Sequence, residues 1–330
     1  MVTRDDVARR AGVSGATVSY VLNDTDGASI SEETRRAVLE AAREIGYRPS
    51  LLGRALRAGR LEMLGVVGPA GDVLFGTFHR RVLRGLWDET SSHNYRLVVD
   101  SRDEEGQIAL LEERVVDGVA FLTFTPTIFD ENVRANLEAL GLPAVLIGGG
   151  AWAEGYHTVD VDNEALGQEA GEHLLGMGHR DIGYLGPPPE SVTSMKRHQG
   201  FLNALAEAGL SPGQIPHREV DLLDPEAQAG GILEEHPELT AVFCFNDTVA
   251  RALMHVAKGK GLRLPDELSI LGVDNARFCQ LSHPPLSSIA LPTRRMGEEA
   301  ARILLDSPSE PVHRYFPFEL VERESVKETH

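Results

Sequence analysis

The chain changes its hydrophobic rhythm once, and the change divides it. Up to residue 48, apolar positions recur at helical spacing in three bursts: Val7, Ala8 and Ala11, then Val18, Val21 and Leu22, then Ala37, Val38, Ala41, Ala42 and Ile45. The polar residues between them read as helix punctuation. Thr3 and Asp6 make a capping box, with Asp in place of the usual Glu. Gly12 suits the left-handed residue after the first helix. Ser14 caps the second, which Asn23 and Asp24 end; Ser31-Glu32-Glu33 begins the third, and Gly46 stops it. Two short helices joined by a tight glycine-containing turn form a helix-turn-helix, and the third helix closes a small core.

From Leu64 the rhythm is that of strands alternating with helices. The runs "MLGVV", "RLVVD", "GVAFLTF", "PAVLIG", "DIGYLG", "AVFCF" and "LSILGV" read as buried strands. Helical stretches at 78–91, 164–175, 197–208 and 247–258 fall between some of them. This alternation predicts an α/β body of two doubly wound parallel sheets, with ligands received in a cleft at the carboxyl ends of the strands. Between the two rhythms lies 49–61, which begins "PSLLGRALRAGR". Pro49 suits a first helical turn, but about ten residues are too few for a helix stable by itself.

Composition changes this picture in one respect. The net charge is −18, which argues against a general polyanion binder. The charge is uneven, however. Residues 1–60 hold ten Arg against eight acidic residues, net +2, and the remainder holds 22 basic against 42 acidic, net −20. A basic head on an acidic body fits a protein whose head alone touches nucleic acid. Two cysteines form no disulfide framework, and charged residues stand where a signal peptide would be, so a cytoplasmic location is expected.

The exposed face of the second helix carries Gly15, Ala16, Ser19 and Tyr20, with Thr17 beside them, short or hydrogen-bonding residues suited to a major groove. In the body there is no Walker A run, no dinucleotide fingerprint and no Cys/His metal spacing, so no enzyme, cofactor or metal is expected.

The runs "DVARRAGVSGATVSYVLN", "ISEETRRAVLEAAREIGYRPS" and "LLGRALRAG" resemble the lactose/galactose repressor (LacI/GalR) family. The likeness continues in "VDVDNEALGQEAGEHLLGMGHRDIGYLG", "RHQGF", "AVFCFNDTVARAL", "LSILGVDN" and "PPLSSIALP". The resemblance implies a headpiece at 1–48, a hinge at 49–61 and a body at 62–330 of the periplasmic-binding-protein type. Within that body, 62–158 and 289–312 would form one subdomain, and 159–288 and 313–330 the other.

The resemblance also implies a palindrome-binding homodimeric regulator, a repressor, controlled by a sugar-like effector. Thr3, Ser14, Gly15, Ala16, Thr17, Ser19, Tyr20 and Asn23 match DNA-contacting positions. Arg54 matches a phosphate contact and Leu56 a minor-groove wedge. Phe75, Arg197, Asn246 and Asp274 match effector contacts: Arg197 as a rigid fork, Asp274 as an acceptor for hydroxyls, Asn246 as both donor and acceptor, Phe75 as a pocket wall.

The chain departs from the family pattern at several of these places. Gly15 and Ala16 are too short for bidentate base contacts, Leu222 and Leu223 stand where an aromatic is common, and Gly148 replaces a sugar-binding Asp. Control by a partner protein, and a solute-binding protein without operator function, are the alternative readings.

Overall fold

The computed structural model describes residues 2–22, 30–48, 59–69, 76–103, 106–122, 128–148, 155–188 and 192–329. It divides into two compact units, residues 1–62 and 63–330.

The first unit is three helices, α1 (Arg4–Ala11), α2 (Gly15–Leu22) and α3 (Glu32–Glu44). Their ends are set by the local chemistry read from the sequence. The Asp6 amide donates to Thr3 Oγ1 at 3.3 Å, and the Thr3 amide donates to Asp6 Oδ2 at 3.0 Å, a reciprocal capping box. Gly12 sits at φ 67°, where a side chain would strain the turn. Ser31 Oγ accepts from the Thr34 amide at 3.2 Å and opens α3. Val7, Ala8, Val18, Val21, Val38, Ala41 and Ala42 form one buried cluster, so each helix contributes the stripe its periodicity marks.

The second unit contains two six-stranded sheets. The first joins β1 (Met63–Gly68), β2 (Arg96–Ser101), β3 (Val119–Leu122), β4 (Ala144–Ile147), β5 (His157–Val161) and β11 (His313–Phe316) in the order β11-β5-β4-β3-β1-β2, all parallel. The second joins β6 (Ile182–Gly186), β7 (His217–Glu219), β8 (Ala241–Cys244), β9 (Ser269–Val273), β10 (Ser287–Ala290) and β12 (Glu319–Val321) in the order β12-β10-β9-β8-β6-β7. Its pairs are parallel except for β12 against β10. Central strands are buried along their whole length, as parallel strands covered by helices must be.

The helices of this unit are α4 (Thr77–Ser92), α5 (Ala109–Glu112), α6 (Glu131–Leu140), α7 (Asn163–Gly176), α8 (Val192–Glu207), α9 (Pro225–Glu235), α10 (Asp247–Gly259) and α11 (Thr293–Asp306). Two helix pairs pack most closely, α7 on α8 and α4 on α11. Each crossing is made of glycine facing main chain. A methyl on Gly167 or Gly200 would overlap the carbonyl of Arg197 or Glu164, and one on Gly85 or Gly297 that of Arg294 or Val82.

The chain passes between the sheets three times. It leaves the first sheet after Val161, returns to it after Ala290 and leaves again after Phe316. The expected borders at 158/159, 288/289 and 312/313 therefore move. Residues 159–161 and 313–316 belong to the first sheet, and residues 289–290 to the second. The reason is edge pairing. "HRYF" is too polar to announce a strand, but His313, Arg314, Tyr315 and Phe316 extend the first sheet beside Thr158, Val159, Asp160 and Val161.

Candidate functional site

Two sites come out of this architecture, one in each unit. In the first unit, α2 has one buried and one exposed side. Val18 and Val21 point into the core, which leaves Ala16 and Tyr20 exposed on the opposite side, Tyr20 at 47 %. Ser14, Thr17 and Ser19 flank them. Ser14 Oγ caps α2 by accepting from the Thr17 amide at 3.1 Å, and the two hydroxyls lie 2.9 Å apart. Thr3 Oγ1 donates to Asp6 Oδ2 at 2.7 Å, which holds the Asp6 carboxyl below the usual carboxylate range. Thr3 and Ser14 thus build the helix starts as well as standing at the surface.

Gly15 differs from the expectation of an open groove-facing position. A methyl there would meet Arg4 Nε at 3.0 Å and Asp5 Oδ1 at 3.2 Å, so the glycine accommodates the start of α1. Asn23, Arg54 and Leu56 lie outside the described residues.

In the second unit, a cavity of about 160 Å³ opens beyond the carboxyl ends of the strands. Thr77, Phe78 and His79 from the start of α4 form one wall. Phe245, Asn246, Thr248 and Asp274, which follow β8 and β9, form the other, with Leu222 and Leu223 at the side. The two leucines that replace the family's aromatic therefore line the cavity. Gly148 does not. It takes φ 71° after β4, and its amide donates to Val159 O at 3.1 Å.

Asp274 is 7 % exposed, and among the described residues no donor reaches its carboxylate. Burial pushes its pKa up, and the nearby Asp247 carboxylate pushes the same way; the Arg197 and Arg81 charges oppose them. Asp247 itself is enclosed. It accepts from the Ala276 amide at 2.6 Å and from the Ser288 hydroxyl at 2.6 Å, with Cys279 Sγ at 3.1 Å. Asn246 caps α10 through Oδ1, which accepts from the Val249 amide at 2.9 Å, and its amide nitrogen is unused among the described residues.

Arg197 is brought to the same region but does not line the cavity. It is 3 % exposed. Its Nε donates to Asn163 Oδ1 at 2.9 Å and its Nη1 to Phe245 O at 2.7 Å, and the guanidinium lies 4.7 Å from the centre of the Phe245 ring. Asn163 in turn donates to Asp160 Oδ1 at 3.2 Å. The structure places Arg197 under the cavity wall, as the group that fixes Phe245. Phe75 lies outside the described residues.

Sequence reasoning missed three features. Thr193, one turn before Arg197, is a buried hydroxyl with no partner among the described residues. Thr248 joins the cavity wall. Arg81 of α4 donates from Nη1 to Asp274 O at 2.7 Å and from Nη2 to Asn275 O at 2.8 Å, crossing from the first half of the unit to the second. Thr248 falls on the helical stretch expected at 247–258, whereas Thr193 lies before the one expected at 197–208. Arg81, one of two successive arginines on an exposed-looking helix, gives no signal.

Comparison with known proteins places this geometry. Residues 3–50 match the model of bacterial regulatory proteins of the lacI family, and residues 171–326 that of a periplasmic binding protein-like domain. The HTH-type transcriptional repressor PurR of Vibrio cholerae is 31% identical over 340 residues, covering 99% of each chain. The lac repressor dimer bound to operator and the anti-inducer ONPF is 25% identical, with a TM-score of 0.85 over 99% of each chain. The regulator CelR in complex with cellobiose is 29% identical, with a TM-score of 0.72 over 98% of this chain and 100% of that one.

Proposed function

The chain belongs to the LacI family of bacterial regulatory proteins, and from that premise we propose that it is a transcriptional repressor whose headpiece reads operator DNA and whose body binds a small effector. The observation that carries the reading is the outward face of α2. Ala16 and Tyr20 are exposed at the centre of a helix whose other side is the headpiece core, as a major-groove helix requires. Ala16 supplies apolar contact with a thymine methyl, and Tyr20 a hydroxyl and ring face. Ser14, Thr17, Ser19, Asn23 and Thr3 approach the backbone, Gly15 lets the helix start sit close to it, Arg54 meets phosphates and Leu56 wedges the minor groove.

The effector reading rests on the cavity. Among the described residues its polar groups are an acceptor without a donor, Asp274, and an amide nitrogen without an acceptor, Asn246, set among Phe78, Phe245, Leu222 and Leu223. Such a lining suits a ring with hydroxyls on its rim and apolar faces, and a sugar or sugar derivative has that form. The cellobiose bound by CelR supports the class. Arg197 supports the wall through Phe245, and the family resemblance assigns Phe75 to effector contact. The protein acts as a homodimer in the cytoplasm, each headpiece taking one half of a palindrome; the likeness to a lac repressor dimer bound to operator supports this reading.

The test is selection of binding sites from random duplex DNA with the full-length chain. The expected result is a palindrome with half-sites about ten base pairs apart, bound more weakly as salt rises. Selection that enriches no sequence overturns the operator reading. A metabolite screen by calorimetry tests the effector reading separately, and sugars that bind without involving Asp274 overturn the assignment of the cavity.

A further inference from the structure

The residues around Asp274 have an unusual backbone. Asp274 takes φ 105° and Asn275 φ 47°, two successive non-glycine residues in the left-handed region, which ordinary side chains rarely adopt. Such a conformation persists only where its surroundings over-determine it. The second half of the body supplies several ties. The Asp274 amide donates to Ile289 O at 2.8 Å, the Asn275 amide to Ser288 Oγ at 2.9 Å and the Ala276 amide to Asp247 Oδ2 at 2.6 Å. Arg323 donates to Asn275 Oδ1 at 2.6 Å.

One tie comes from the first half. Arg81 spans the successive carbonyls of Asp274 and Asn275 with the two arms of its guanidinium. A planar fork holds two acceptors in a fixed mutual orientation; an ammonium cannot. The carbonyl it grips belongs to the residue whose carboxylate lines the cavity.

We infer that Arg81 is a positioning residue for the effector site, which by gripping the Asp274 and Asn275 carbonyls across the cleft makes the direction of the Asp274 carboxylate and the closure of the two halves a single movement. When the halves part, the fork is withdrawn, the left-handed pair relaxes, and the carboxylate turns from its place in the cavity wall. A ligand bound to Asp274 in the present geometry holds the fork in place and favours the state shown here, by its difference in affinity between the two states. The inference rests on the effector reading for its consequence, while the tie itself is a property of the free protein.

The experiment therefore uses ligand-free, full-length protein. Arg81→Ala and Arg81→Lys are compared with the parent by amide hydrogen exchange over residues 274–280 and by small-angle X-ray scattering. Arg81→Ala is expected to speed exchange in that segment about tenfold, the loss of a charged hydrogen-bond pair, and to raise the radius of gyration. Arg81→Lys, which keeps the charge and one bond, is expected to lie between. If Arg81→Ala fails to fold by circular dichroism, Arg81→Lys carries the test against the parent.

Exchange and scattering both unchanged overturn the proposal. Faster exchange with unchanged scattering overturns the coupling to closure, and a larger radius with unchanged exchange overturns the positioning of Asp274. None of these outcomes depends on a ligand, so a failed metabolite screen, which strikes at the effector reading, is distinguishable from a failed latch.

Discussion

The α-carbon of Gly167 lies against the main-chain carbonyl of Arg197, with no room for a methyl between them. Gly200 meets Glu164 in the same way one turn further on, so α7 and α8 touch backbone to backbone. This contact sets the depth of Arg197 beneath the cavity wall, where it holds Asn163 and Phe245 together. Gly167→Ala forces the helices apart at a rigid point. It is expected to destabilise the body by about 1–3 kcal/mol or more, since overpacking against main chain cannot be relieved by a rotamer change. Thermal unfolding measures this directly, and an unchanged melting temperature refutes the account of the crossing.

A headpiece substitution separates folding from recognition. Tyr20→Ala removes an exposed side chain and leaves the cluster of Val7, Val18, Val21 and Val38 intact. Its expected effect on stability is within about 0.5 kcal/mol, while the DNA sequence preference changes. Thr3→Ala removes a cap and is expected to lower headpiece stability by about 1 kcal/mol. Melting curves of the two variants, with binding-site selection for Tyr20→Ala, check both. A Tyr20→Ala protein with the parent's preference ends its assignment as a reading residue.

His198 makes stability depend on acid. Its ring stacks on Tyr184 with centroids 4.5 Å apart and faces His217 at 4.4 Å. Burial pushes its pKa down from 6.5 to about 4, and the His217 ring adds to the effect. In the unfolded chain the same imidazole takes up a proton near pH 6.5. Its contribution to stability is complete above that pH and is lost as pH falls toward 4. His198→Gln is expected to lessen the loss of stability between pH 6.5 and 4. Denaturation at several pH values measures the slope, and equal slopes in parent and variant exclude His198 as its source.

Asp274 has the opposite sign. Its carboxyl is raised out of the ordinary range by burial and by Asp247, so holding it ionised in the fold is unfavourable. That penalty is absent below the ordinary carboxylate pKa of 3.8 and grows as pH rises through the folded value. Asp274→Asn is therefore expected to be more stable relative to the parent at pH 8 than at pH 4. A difference in stability that does not vary with pH contradicts the buried-carboxylate account. Effector binding should fall in the same variant, because the acceptor is gone.

The helix ends were legible because capping is local. Thr3 with Asp6, Gly12, Ser14 and Ser31 act within four residues of themselves, and the structure puts each where its chemistry places it. The apolar runs "MLGVV", "AVFCF" and "LSILGV" were legible because central parallel strands are buried on both faces. β5, β7, β10, β11 and β12 were not. Thr158 and Asp160 in "HTVDV" break the apolar signal, and "HRYF" and "ELV" are edge strands defined by the partner they pair with. The same blindness displaced the three borders between the sheets.

The sequence by itself determined the three-helix headpiece, the α/β alternation, and the presence of Asn246 and Asp274 at strand ends, because each is written in a pattern a few residues long. Only the tertiary structure decided what those residues meet. It moved Arg197 from the cavity to the support of its wall, set Gly15 beneath Arg4, and brought Arg81 to two carbonyls 193 and 194 residues further along the chain. A main-chain carbonyl is the same at every position, so an arginine that binds one leaves no trace in the sequence of its partner.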